Sequence, residues 1–192
     1  MATANEPWEK FLHPKTLKAN LLAISLFITA FENFKENVIS KPVTFFCNGF
    51  NENGYITDKK YEADVLILSK SKLYATLLWL KGLGAIDQSD IAKFDEIRKH
   101  RNEVAHETMA FLADADRNFD ATKFRDLVQL LTKIEKWWLI NFEASINPEI
   151  FPDGADTDNV IPGAIWSLQL MLDIALGNES EEGYYFNAYK AK

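Results

Sequence analysis

The sequence has little of what most metal-binding and disulfide-bonded proteins need. It contains one cysteine and three histidines among its 192 residues. A single cysteine cannot form an internal disulfide, and so few cysteines and histidines cannot supply a structural zinc site. His13, His100 and His106 lack ligand spacing on a helix with a carboxylate between them, so a metal-dependent enzyme ranks lowest and we expect no cofactor. Cys47, beside two phenylalanines, is expected to be a buried apolar residue rather than a nucleophile.

Long apolar runs are also missing. The longest one, residues 21–31, is interrupted by Ser25 and Thr29 and is too short to span a bilayer. Residues 1–10 lack the apolar centre of a signal peptide. We therefore expect no membrane partner and a cytoplasmic location.

Basic residues are in the minority. The chain has 21 Lys and Arg against 28 Asp and Glu, so its net charge is −7. An acidic chain cannot bind nucleic acid over its whole surface, because phosphate contacts need local Lys and Arg. Binding to RNA would therefore require a local basic patch. Arg98, Lys99, His100 and Arg101 form one such cluster in the sequence.

Internal repeats, a glycine-rich phosphate loop and a Ser-His-Asp pattern are absent as well. The residues that are present have the composition of a folded protein, with 47% hydrophobic and 26% charged residues. A chain of this length is long enough to bury a substantial core. We therefore expect one domain over residues 1–192.

Apolar residues recur at helical spacing in five segments. The predicted helices cover residues 15–38, 61–83, 91–112, 121–145 and 164–176. The connection between the second and third of these helices is short, so these two are expected to be antiparallel neighbours. The sequence thus predicts an all-α fold, an antiparallel bundle of about five helices.

Residues at helix ends and turns support these boundaries. Pro42 is expected at or just beyond the end of the first helix, and a hairpin or irregular loop is expected at residues 43–58, where Asn-Gly pairs signal turns. Gly84 is a candidate left-handed cap. Asp87 and Asp120 are candidate N-caps of the third and fourth helices.

The C-terminal part, residues 146–192, is expected to form a loop, a short helix and an aromatic tail. We interpret the loop at residues 153–159 as acidic and solvated, because it lacks the spacing of a calcium-binding loop. The tail contains four aromatic residues, which favour docking on a partner or on the body of the protein. They are Tyr184, Tyr185, Phe186 and Tyr189. The adjacent Trp137 and Trp138 could serve the core or an interface, and an interface is favoured more than usual because two adjacent residues face different directions on a helix.

The third helix carries an unusual polar group. Arg101 falls near the centre of its apolar stripe, while Asn102 and His106 lie four residues apart on the shoulder, in one row with Arg98. An unpaired buried charge is costly, so Arg101 must pair with a carboxylate or face a cleft or subunit interface. A permanent cation beside an amide and an imidazole could act on a phosphodiester.

The segment Arg101-Asn102-x-x-x-His106 resembles the R-x4-6-H signature of the HEPN superfamily, in which a polar residue often follows the Arg. Residues 82–87 (GLGAID) and 27–30 (FITA) are similar to the mannitol-repressor (MltR) family, whose layout is HEPN-like. The HEPN resemblance covers roughly residues 15–145. It implies that the first long helix packs on the motif helix, which makes Glu32 a candidate partner for Arg101; the alternative is a solvated Glu32.

The HEPN resemblance implies a homodimeric, metal-independent endoribonuclease with a shared site. His106 would move a proton, Arg101 would stabilise charge on the phosphate and Asn102 would orient the motif. Arg98, Lys99 and His100 are the candidate RNA-binding residues. Such a protein would act as a toxin or anti-phage defence effector, restrained by an antitoxin or another defence-system protein.

The MltR resemblance implies a second hypothesis. The protein would then be a non-catalytic regulatory or interaction protein, and Arg101 and His106 would pair across the bundle as structural residues. The acidic charge, the aromatic tail and the two adjacent tryptophans agree with a protein that binds protein. Specific DNA binding is not expected, because the sequence shows no basic recognition helix.

Overall fold

The computed structural model describes residues 6–52, 54–147, 149 and 159–191, and in this part the protein is mostly helical. The α-helices are α1 (Glu6–Leu12), α2 (Pro14–Phe45), α3 (Lys72–Gly82), α4 (Gln88–His106), α5 (Thr108–Ala113), α6 (Ala121–Trp138), α7 (Ala144–Ile146), α8 (Gly163–Leu176) and α9 (Tyr184–Lys190). Strands β1 (Cys47–Asn51) and β2 (Gly54–Thr57) form an antiparallel hairpin. The all-α class and the hairpin insertion are confirmed.

The main core lies between α2, α3, α4 and α6, with α8 packed on the outside of α2 and α6. Phe34 of α2 stacks on Phe94 of α4 with ring centroids 5.4 Å apart. Leu77 of α3 and Ile134 of α6 are completely buried in the same cluster. Each such side chain contributes roughly 1.5–3 kcal/mol by leaving water. These contacts fix α2 against α4, the two helices that form the candidate site.

The first long helix extends further than predicted. We expected Pro42 to mark its end, but α2 continues through Pro42 to Phe45. Proline removes one backbone hydrogen bond, and here packing compensates for that loss. The ring of Phe45 lies 5.1 Å from that of Phe142 and 5.7 Å from that of Trp79. Tertiary contacts thus keep the chain helical beyond a residue that usually ends a helix.

The second predicted helix, residues 61–83, is interrupted. It consists of a π-helical turn, Tyr61–Val65, a 3-10 turn, Leu66–Leu68, and then α3. Ser69 is extended between them, and the Ser71 hydroxyl caps α3 by accepting a hydrogen bond from the Tyr74 amide. The predicted cap at Gly84 is confirmed, because this residue has a left-handed φ of 80°.

The motif helix begins at Gln88 and is capped by Asp87, as predicted. The Asp87 side chain accepts hydrogen bonds from the amides of Ser89 and Asp90, and the Asp90 side chain accepts one from the Asp87 amide. The helix does not continue to residue 112 as predicted, because α4 ends at His106 and α5 starts at Thr108. The Thr108 hydroxyl donates to the Val104 carbonyl at 2.7 Å. This hydrogen bond satisfies a backbone carbonyl near the break between α4 and α5.

The fourth helix is capped by Asp120, as predicted, and stays helical through a π-helical turn, Leu139–Glu143, to α7. Of the two alternatives for the tryptophan pair, the structure places Trp138 in the core, where it is buried and stacks on Phe142 with ring centroids 4.5 Å apart. Trp137 is half-buried and also contacts Phe142. The pair therefore packs within the chain, because Phe142 on the next turn covers both rings.

The predicted helix at residues 164–176 is confirmed as α8, and Gly177 ends it in the left-handed region. Residues 153–158 of the predicted acidic loop lie outside the described residues. By length and composition, α2 is the one described helix that could cross a membrane. This is weak support for a span, since the core helix of a soluble protein passes the same test, and Phe27, Phe34 and Val38 of α2 are fully buried in the core.

Candidate functional site

The candidate site lies where the C-terminal half of α4 faces α2. Arg101 Nη2 of α4 donates to Glu32 Oε1 of α2 at 2.5 Å. Of the two alternatives for Glu32, the structure therefore has it paired with Arg101. The Arg101 side chain is 27% exposed and that of Glu32 is 38% exposed, so the pair is open to solvent on one side. It holds a permanent cation at the surface of the bundle.

Several further contacts orient the guanidinium group. It lies over the ring of Phe31 at 5.3 Å, and Nη1 donates weakly to Asn102 Oδ1 at 3.4 Å. Arg101 Nε is buried and has no hydrogen-bond partner among the described residues. The outer nitrogens are thus the part of the group that can reach a ligand. An aromatic face and a carboxylate together fix the plane of the guanidinium.

Glu32 also pairs with a second basic side chain, that of Lys35, which the sequence analysis did not identify. Lys35 Nζ lies 3.0 Å from Glu32 Oε2. Burial alone would raise the pKa of Glu32, but the hydrogen bonds and charges of Lys35 and Arg101 outweigh it and lower the pKa. Glu32 is therefore anionic at neutral pH. The spacing of three residues on one helix was the signal that could have revealed Lys35.

The other two motif residues point outward. Asn102 and His106 are both exposed, and His106 is the last residue of α4. Within the described ranges, the His106 side chain forms no hydrogen bond to another residue. Its imidazole is free to approach a ligand. The last two turns of α4 therefore carry a cation, an amide and an imidazole.

His100, not Arg101, occupies the centre of the apolar stripe. It is 8% exposed and its ring lies 5.5 Å from those of Phe27 and Phe119. Its Nε2 accepts a hydrogen bond from the Asp120 amide at 3.3 Å. Burial lowers the pKa of His100, against the opposing charges of Asp120 and Glu103. Our expectation that His100 binds substrate is therefore wrong, because its ring faces the core.

The remaining basic residues of the cluster are on the surface. Lys99 is exposed, while Arg98 lies over the ring of Tyr74 at 5.1 Å and 3.9 Å from Asp95. The Tyr74 hydroxyl donates to Asp95; burial and this hydrogen bond raise the pKa of Tyr74 to about 12. Carboxylates thus partly neutralise the basic patch. Its positive charge is smaller than the sequence alone indicates.

The chemistry open to this arrangement is that of a cationic, proton-transferring surface. Among the residues that the structure describes, no three His, Cys, Asp or Glu side chains come together to hold a metal ion. Arg101 can neutralise an anion, and the His106 imidazole can transfer a proton. Comparison of the chain with protein-family models, with curated proteins and with solved structures finds no match.

Proposed function

We propose that the protein is a metal-independent endoribonuclease of the HEPN type that acts as a homodimer. One observation carries the proposal. Arg101 is held by Glu32 at the surface, next to Asn102 and within the last two turns of α4 that also expose His106. A structural arginine alone would not need an exposed amide next to it and an exposed imidazole on the same two turns of the helix.

The reaction would use the ribose of the RNA itself. The 2′-oxygen attacks the adjacent phosphorus, the bond from phosphorus to the 5′-oxygen breaks, and the proton of the 2′-hydroxyl passes to His106. Arg101 stabilises the extra negative charge on the phosphoryl oxygens through its outer nitrogens. Asn102 orients the guanidinium or contacts the phosphate. Arg98 and Lys99 would bind neighbouring phosphates of the strand.

A second copy of the chain would complete the site. The leaving 5′-oxygen needs a proton, and each subunit offers one exposed histidine on this surface. Two α4 helices side by side would supply two Arg101 and two His106 side chains to one phosphodiester. The site would then be absent from a monomer, and dimerisation would control activity.

The setting that we propose is cytoplasmic. Uncontrolled RNA cleavage is harmful to the cell, which fits a toxin or an anti-phage defence effector. Its activity would be restrained by an antitoxin or by another protein of the defence system.

RNA cleavage in the presence of EDTA tests this function. The purified wild type is compared with His106→Ala and Arg101→Ala, and with His13→Ala as a control at the N-cap of α2, outside the motif helix. We expect His106→Ala to reduce the cleavage rate by about 10²–10⁴-fold and Arg101→Ala by about 10²–10³-fold. His13→Ala should cleave at the wild-type rate. Circular dichroism and sedimentation check the fold and the dimer of each variant.

A second candidate function rests on the same ion pair, taken as a structural contact. The bond between Arg101 and Glu32 ties α4 to α2, as a purely structural arginine would. The protein would then be a non-catalytic regulatory or protein-binding protein of the MltR kind. A wild type that leaves every RNA intact, together with an Arg101→Ala variant that unfolds more easily, would favour this function over the ribonuclease.

A further inference from the structure

Helix α8 carries much more apolar surface than it buries. Its sequence is GAIWSLQLMLDIAL, yet within the described part of the chain only Leu168 is fully buried. Trp166, Ile174 and Leu176 are each more than half exposed. A helix that is apolar on most sides is normally covered by other structure. The exposed part of α8 therefore has the properties of a binding surface.

Helix α9 folds back beside α8 and forms a cleft with it. The cleft has a volume of about 440 Å³ and is lined by Trp166, Leu170, Tyr184, Tyr185, Ala188 and Tyr189. The Tyr185 hydroxyl donates to Asp173 Oδ2 at 3.2 Å, which ties α9 to α8. Four of the six lining residues are aromatic. The two helices thus form an aromatic cleft, and Tyr189 at its edge is 78% exposed.

The segment that forms the cleft is acidic. Residues 163–191 contain four acidic residues and one basic residue, Lys190. Asp173 accepts from the Tyr185 hydroxyl, and Glu179 Oε1 accepts from the Tyr185 amide at 3.4 Å. Lys190 lies over the ring of Phe186 at 5.1 Å, so a cation already rests on an aromatic face of α9. Charge complementarity therefore favours a cationic partner.

The exposed hydroxyl groups indicate the conformation of that partner. Neither Tyr184 nor Tyr189 uses its hydroxyl group in a hydrogen bond to another described residue. A polyproline II segment has no internal hydrogen bonds and offers its carbonyls to such donors, whereas a helix has already used most of its own. Proline rings also pack well on flat aromatic side chains. An extended partner therefore fits this cleft better than a helical one.

We propose that the α8–α9 cleft binds an extended, proline-rich segment of another protein, with Arg or Lys next to the prolines. The prolines pack against Trp166 and Tyr189, and the basic residues lie near Asp173 and Glu179. A second copy of the chain is a poorer occupant, because it would bring the same acidic residues against each other. This binding is independent of RNA cleavage on α4.

Fluorescence anisotropy with the full chain tests the proposal. The probe is a fluorescein-labelled peptide of repeated Pro-Pro-Leu units that ends in two arginines, and the matched peptide ends in two glutamates. We expect saturable binding of the arginine peptide, weakened by salt. The glutamate peptide should bind about tenfold less tightly or not at all, because like charges oppose each other.

Two pairs of variants locate the binding. Tyr189→Ala should weaken binding of the arginine peptide by about tenfold, as truncation of an aromatic anchor does. Phe50→Ala on the hairpin is the matched control, because Phe50 and Tyr189 are both 78% exposed. It should leave the affinity unchanged. Glu179→Gln should weaken binding of the arginine peptide and reduce its salt dependence, whereas Glu52→Gln on the hairpin should do neither.

Three results would overturn the proposal. The first is the absence of saturable binding, and the second is equal affinity for the arginine and glutamate peptides. The third is a protein dimer in sedimentation experiments that Tyr189→Ala dissociates, which would assign the cleft to a second copy of the chain. Loss of binding in Tyr189→Ala with unchanged thermal unfolding supports the cleft as the binding site.

Discussion

The two faces of the C-terminal half of α4 carry similar residue types in opposite environments. His100, on the inner face, is surrounded by Phe27, Phe111 and Phe119 and accepts a backbone hydrogen bond. His106, on the outer face and six residues later, is exposed. One imidazole is therefore a core residue that contributes to stability, and the other is available for chemistry. Residue type alone does not distinguish them.

The burial of Arg101 is intermediate between that of His100 and that of His106. Its Nε is buried, while its outer nitrogens reach Glu32 and Asn102 at the surface. It therefore combines a structural contact with an exposed cationic group. The comparison predicts a graded series, in which the effect on stability falls from His100 through Arg101 to His106.

The largest expected effect on stability comes from His100→Ala. It removes a buried ring packed against three phenylalanines and leaves the Asp120 amide without its acceptor. We expect a loss of about 3 kcal/mol in the free energy of unfolding, as for other large-to-small core substitutions. Urea unfolding followed by circular dichroism measures it. His106→Ala is the matched control and should change stability by less than about 0.5 kcal/mol; equal losses would remove the distinction between the faces.

The pH dependence of stability should also separate the two histidines. Burial holds the pKa of His100 below the ordinary value of 6.5, with Asp120 and Glu103 opposing and Lys123 adding to the shift. Below pH 6.5 the unfolded chain therefore binds a proton at this residue that the folded protein does not. The stability from neutral His100 is present above pH 6.5 and is lost as the pH falls through the folded pKa.

Urea unfolding between pH 7.5 and 5.5 checks this prediction. The wild type should lose more stability over this range than His100→Gln, which keeps a polar side chain but does not titrate. His106→Ala should follow the wild-type curve. If the His106 variant instead flattens the curve, the buried residue is not the source of the pH dependence.

A smaller effect is expected at the half-exposed ion pair. A double-mutant cycle of Arg101→Gln and Glu32→Gln should give a coupling energy of roughly 0.2–1 kcal/mol, because solvent screens the pair. The matched comparison is the mostly buried pair Lys41–Glu135, in which Lys41 Nζ lies 2.8 Å from Glu135 Oε2. Like Glu32, Lys41 is on α2. Lys41→Gln should destabilise more strongly, since it leaves a buried carboxylate. A coupling of several kcal/mol between Arg101 and Glu32 would instead mark Arg101 as purely structural.

Much of the fold could be predicted because local chemistry fixes the ends of the elements. Asp87 and Asp120 cap helices with their own side chains, and Gly84 and Gly177 adopt left-handed conformations that few other residues tolerate. The hairpin followed from its turn residues. These signals act within a few residues and do not depend on the rest of the chain.

Other features depended on distant contacts and could not be predicted. The helix through Pro42 is maintained because Phe45 packs on α3 and on the end of α6, which periodicity cannot show. The prediction of which residue lies at the centre of the apolar stripe of α4 also failed. His100 and Arg101 are neighbours in the sequence, so both lie close to that centre. Only the position of α5 and Phe119 decides which of the two is covered.

The sequence by itself determined the helical class, the hairpin, the main helix caps and the choice of Arg101, Asn102 and His106 as the residues of interest. Spacing and residue chemistry are local properties, so they can be read along the chain. Only the tertiary structure decided that Arg101 pairs with Glu32, that His100 belongs to the core and that α8 and α9 form an acidic aromatic cleft. These depend on which surfaces meet, and burial and pairing are properties of the packed chain.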